Sequence, residues 1–102
     1  MDEEDLFIMF GFLKISKFRA SILMALEDDV MMPSELAHML NLKPAQISNA
    51  LMEMKGKNLV RCLNEKVNKG RLYTCTDYGR DIMHEYVHYF GYPPEAPHNQ
   101  LI

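Results

Sequence analysis

Two stretches decide the fold: PSELAHMLNLKPAQISNALMEMKGKNLVRC, residues 33–62, and GRLYTCTDYG, residues 70–79. In the first, Pro33 and Pro44 each stand where a helix can begin, because the N–H that proline lacks has no partner in a first turn. Leu36, Ala37 and Leu40 recur at helical spacing after Pro33, and Ile47, Leu51 and Met54 after Pro44. Asn41 can end the first helix, and "LKP" is a short turn at which Pro44 begins the second. Gly56 or Asn58 closes the second. The period then changes. "LVRCLNE" and "RLYTCT" are rich in β-formers and flank "KVNKG", which suits a hairpin tip. Thr76 or Asp77 caps a further helix, "TDYGRDIMHEYVHYF", whose inward face is expected to be Ile82, Met83, Tyr86 and Phe90.

Upstream, "SKFRASILMALED" starts with Ser16 as an N-cap and carries Phe18, Ile22, Leu23 and Leu26 on one stripe. Before it, four acids from Asp2 to Asp5 favour a helix N-terminus. In that first helix, Gly11 marks a candidate close approach. Its apolar residues lie almost all round, more than a free arm on a small domain would expose. The expected order is α-α-α-α-β-β-α, mainly α with a small β-hairpin. Residues 1–92 make one domain, and the Pro-rich end, 93–102, is expected to be a flexible tail.

The chain has 102 residues, enough for one core. Its longest apolar run, Leu6–Leu13, is too short to cross a bilayer, and acids rather than cations precede it. The expectation is a cytoplasmic protein with no membrane partner. Cys62 and Cys75 are too few for a disulfide framework and read as free thiols. The net charge of −3 is unevenly placed. Residues 43–71 hold seven basic and two acidic side chains, whereas residues 1–42 hold three basic and eight acidic. A basic middle between acidic flanks points to one surface that meets an anion.

Two helices joined by a short turn, with a hairpin beside them, form a DNA-reading unit. The sequence resembles the winged helix–turn–helix regulators of the MarR/ArsR-like kind across about residues 16–90. Leu36 and Ala37, Ser48, Leu59 and Val60, then Tyr73, Thr76 and Gly79 carry the resemblance. Cys75 stands where that pattern has Leu, which implies a small buried apolar role. The resemblance implies a transcriptional regulator that binds double-stranded DNA as a homodimer. A winged helix that docks on another protein is the alternative, and a metal-sensing ArsR-like repressor a third reading.

The residues place the DNA contacts. With Ile47, Leu51 and Met54 inward, Ala45, Gln46, Ser48 and Asn49 turn outward at the start of the recognition helix, about residues 44–55. Gln and Asn side chains pair with adenine N6 and N7 in the major groove. Lys43, Lys55 and Lys57 suit phosphates, which position a protein without reading sequence. On the wing, about residues 64–71, Lys66, Asn68, Lys69 and Arg71 suit the backbone or a minor groove. The recognition helix lacks Arg, so strong guanine reading is not expected from it. The dimer interface is expected at Leu6, Phe7, Met9, Phe10 and Leu13 on the first helix, with Tyr86, Tyr89 and Phe90 on the last.

One motif points elsewhere. HEYVH, His84–His88, has the spacing by which a helix presents two imidazoles to zinc and a carboxylate to water. A peptidase also needs a third ligand and a cleft, and no second lobe is expected to make one. Asp81, His84 and His88 remain secondary metal candidates of the sensor kind. No cofactor and no catalytic group are expected.

Overall fold

The computed structural model describes residues 2–93, arranged as five helices and a two-stranded sheet. Pro93, the first residue of the expected tail, is buried; 94–102 lie outside the described residues.

Helix α1, Glu3–Ile15, has Glu3, Glu4 and Asp5 in its first turn and Lys14 in its last, both favourable to the helix dipole. Leu6, Met9, Phe10 and Leu13 form its buried stripe. This stripe packs on the chain's own α5, Asp77–Phe90, and on α2, Arg19–Ala25. The Phe10 ring meets Tyr86 edge-on at 5.9 Å and Phe90 at 5.2 Å. Five of the eight residues expected at a partner interface are therefore already buried within one chain: Leu6, Met9, Phe10, Leu13 and Tyr86. Phe7, Tyr89 and Phe90 remain 45–48% exposed. Phe90 lies on the expected inward face of α5 with its ring on Phe10, but as the last residue of the helix it is not buried as expected. Gly11 is exposed, and a Cβ there would meet nothing within 4 Å, so no close approach explains it.

Helix α2 begins three residues later than Ser16, whose hydroxyl instead accepts from Phe18 N at 3.4 Å in a turn. Its Ile22 and Leu23, with Leu26, are fully buried. Arg19 fastens three helices. It donates to the Phe12 carbonyl on α1 at 2.6 Å and to Glu53 on α4 at 2.9 Å, with its guanidinium 3.9 Å above the Phe12 ring.

Helix α3, Pro33–Leu40, is anchored by the Glu35 carboxylate, which accepts from Met32 N at 2.7 Å. Asn41 ends it in the left-handed region, φ 55°. Helix α4, Pro44–Gly56, follows after two further residues and buries Ile47, Ala50, Leu51 and Met54. A second left-handed residue, Asn58 at φ 63°, turns the chain into the sheet.

Strands β1, Val60–Cys62, and β2, Tyr73–Cys75, pair antiparallel, with Arg61 opposite Thr74. They are shorter than the sequence leads one to expect. Tyr73 also exchanges backbone hydrogen bonds with Met31, at 2.9 and 3.0 Å, which adds a one-residue third strand before α3. Thr76 caps α5 by accepting from Gly79 N at 2.8 Å. No helix among the described residues is long and apolar enough to cross a membrane.

Candidate nucleic-acid interface

The site is built on α4 and on the loop between β1 and β2. Burial of Ile47, Ala50, Leu51 and Met54 leaves Ala45, Ser48 and Asn49 exposed on the opposite side. Lys43 is exposed at the N-cap. Gln46 is half-buried, and its side-chain oxygen accepts from Lys43 N at 2.9 Å. That bond satisfies one of the donors that helix geometry leaves open. Gln46 thus holds the helix start, with only its amide nitrogen free for a base.

The wing is an irregular loop rather than a long hairpin, and one side chain organises it. Asn64 Oδ1 accepts from Leu72 N at 2.8 Å and from Cys62 Sγ at 3.5 Å, while its amide donates to Gly70 O at 3.1 Å. Arg71 turns back into the loop, donating to Val67 O at 2.8 Å and Glu65 O at 3.1 Å. These bonds use Arg71 for wing architecture, a role its charge alone did not foretell. Lys66, Asn68 and Lys69 are left exposed at the tip.

Between α4 and the wing runs a groove of about 500 Å³. Ser48, Met52 and Lys55 line one wall, Asn68, Lys69 and Gly70 the other, with Pro33 and Ser34 of α3 at one end. Lys55 and Glu65 form an ion pair, 2.5 Å apart, between the helix and the wing. Their hydrogen bond holds the Glu65 carboxyl below its usual range and raises the Lys55 ammonium. Lys57 turns to the other flank, its ammonium 5.7 Å from the Phe12 ring centre. The structure thus brings Ser48, Lys55, Asn68, Lys69 and Arg71 around one groove and leaves Lys57 apart from them. Met52, Asn64 and Glu65 also belong to this region and were not foreseen. An Asn at the start of a tight loop is the one such signal the sequence holds, since its side chain imitates a backbone turn.

Among the described residues, the remaining chemistry does not assemble into a second site. His84 pairs with Glu27. His88 lies edge-on to Tyr89, ring centres 5.7 Å apart. Asp81 and His84 share a shallow acidic hollow with Glu3 and Glu85. Among the described residues, no three His, Cys, Asp or Glu side chains are grouped to hold a metal ion. Cys75 is buried, which pushes its thiol up to about 12. It is a small core residue there, its Sγ 3.4 Å from the Leu23 carbonyl.

No protein-family profile matches the chain, and no curated protein sequence does. Solved structures do. A double mutant of ZitR from Lactococcus lactis in its apo form superposes with a TM-score of 0.65 at 19% identity, over 80% of this chain and 63% of that one. The MarR family transcriptional regulator SPO1453 from Silicibacter pomeroyi DSS-3 gives 0.62 at 19%, over 85% and 65%. The zinc-dependent MarR family regulator AdcR in its Zn(II)-bound state gives 0.58 at 25%, over 76% and 54%. The fold is the winged helix–turn–helix seen in MarR-family transcriptional regulators. The chain spans about half to two-thirds of the length of these structures.

Proposed function

We propose that the protein is a sequence-reading transcriptional regulator that binds duplex DNA as a homodimer. The observation that carries this is the exposed face of Ala45, Ser48 and Asn49 at the start of α4, beside a wing tip of Lys66, Asn68 and Lys69. An α-helix fits the major groove, and its N-terminal residues reach base edges. Asn49 reads adenine and Ser48 takes a base edge or a phosphate. Lys43, Lys66 and Lys69 neutralise phosphates, and Lys55 joins them once it is released from Glu65. The Arg71 guanidinium supports the wing.

The dimer reading rests on the apolar surface that the chain leaves open. Phe7, Tyr89 and Phe90 lie together, with the Phe7 and Tyr89 rings 5.5 Å apart, and Ile8 and Tyr92 are 56% and 70% exposed. This patch, at the α1–α5 end of the domain, is the dimer interface in our reading. Two-fold symmetry then places half-sites about one DNA turn apart. Replacing Asn49 with Ala tests the assignment: binding to a selected site should weaken more than binding to random duplex. Equal loss on both would remove Asn49 from base reading.

A further inference from the structure

Met52 stands out on the face that the proposed function turns toward DNA. Ala45, Ser48, Asn49 and Met52 follow the i, i+3, i+4, i+7 spacing of one helix ridge, all exposed. At 1.5 Å per residue the ridge is about 10 Å long, the rise of roughly three base pairs. The apolar residues of the other α4 face, Ile47, Ala50, Leu51 and Met54, are at most 5% exposed; Met52 is 70% exposed. It therefore contributes nothing comparable to the core. One exposed apolar side chain is ordinary on a protein surface; Met52 is singled out by its place on this ridge. Its side chain lines the groove wall with Ser48 and Lys55, opposite Asn68 and Lys69.

Among the bases, thymine alone shows a methyl group in the major groove, and apolar side chains are what read it. Met is unbranched and polarizable, so it can follow such a group without a fixed socket. We infer that Met52 is a specificity-determining residue that packs on a thymine 5-methyl group, three residues along the ridge from the adenine-reading Asn49. This rests on the DNA-binding reading and deepens it. The preferred half-site carries thymine at the position under Met52.

The test uses the full chain and a duplex recovered by selection, with each thymine of a half-site replaced in turn by deoxyuridine. That change deletes only the methyl group. At one or two positions the wild type should bind about fourfold more weakly, the worth of one buried methyl. Met52→Gln should lose that sensitivity while keeping its melting temperature and salt slope, and Met52→Leu should retain it. If every deoxyuridine duplex binds the wild type as tightly as its thymine parent, or if Met52→Gln keeps the penalty, the inference is wrong. Failure to bind any duplex would overturn the DNA reading itself, and this inference with it.

Discussion

Gly79 faces the Leu59 carbonyl so closely that a Cβ built on it would stand 2.0 Å from the oxygen. The same junction holds Thr76, whose hydroxyl donates to Asn58 O at 2.7 Å and whose N–H donates to Leu59 O at 3.1 Å. The start of α5 is thereby pressed against the start of β1, and backbone cannot yield as a flexible side chain would. Gly79→Ala should cost at least the upper part of the roughly 1–3 kcal/mol typical of overpacking. For a domain of this size that lowers the melting temperature by about 10 °C or more. A calorimetric scan in which Gly79→Ala melts with the wild type would contradict this packing.

Asn64→Ala removes the partner of Leu72 N and the clamp on Gly70. Amide exchange in residues 65–71 should quicken, and DNA affinity should fall although Asn64 is not one of the proposed base contacts. A stability loss of about 1 kcal/mol accompanies it. Unchanged exchange in the wing would show that Arg71 suffices to hold the loop.

The Lys55–Glu65 pair sets a pH dependence. The Glu65 carboxyl is held below its unfolded value by its hydrogen bond with Lys55. Its contribution is therefore present above the unfolded carboxylate value and lost as pH falls through the folded one. Lys55 is raised, so its share is present below the unfolded ammonium value and lost as pH rises through the folded one. At neutral pH both are charged, and under the proposed function the pair competes with DNA for a groove lysine. Both groups are exposed, so the pair adds little stability. Glu65→Gln should tighten DNA binding a few-fold at low salt, with the gain shrinking as salt rises. No change at low salt would mean that Lys55 contributes nothing to binding.

The two thiols should separate cleanly. Cys62 is half-buried on β1, whereas Cys75 is buried with its thiol pushed up to about 12. An aromatic disulfide reagent at pH 8 should titrate one thiol in the native protein, Cys62, and two after unfolding. Rapid reaction of both under native conditions would place Cys75 outside the core.

Much of this architecture was legible because local rules and tertiary packing agree. Pro33 and Pro44 begin their helices, Thr76 caps α5, and the apolar spacing identified Ile47, Leu51 and Met54 as the inner face of α4. What escaped depends on contacts distant in sequence. Met31 joins the sheet only because Tyr73 lies beside it. The buried stripe of α1 packs on α2 and α5, so a pattern that pointed to a partner chain or to the core is partly satisfied within the chain. Arg71 carries a charge suited to phosphate, yet the nearest acceptors are carbonyls of its own loop. Periodicity assigned the buried methionine of α4 but said nothing about why Met52 is exposed. Ala45, Ser48 and Asn49 were expected on the outer face and are exposed there; their contact with bases is the proposal.

The most direct test of that proposal is selection of bound duplexes from a random pool, followed by a salt titration of the winner. The expected winner is a two-fold symmetric site, half-sites about one turn apart, with A·T pairs under α4 and affinity falling steeply with salt. No enrichment, with negligible affinity at moderate salt, would contradict the proposal and leave a winged helix that docks on protein.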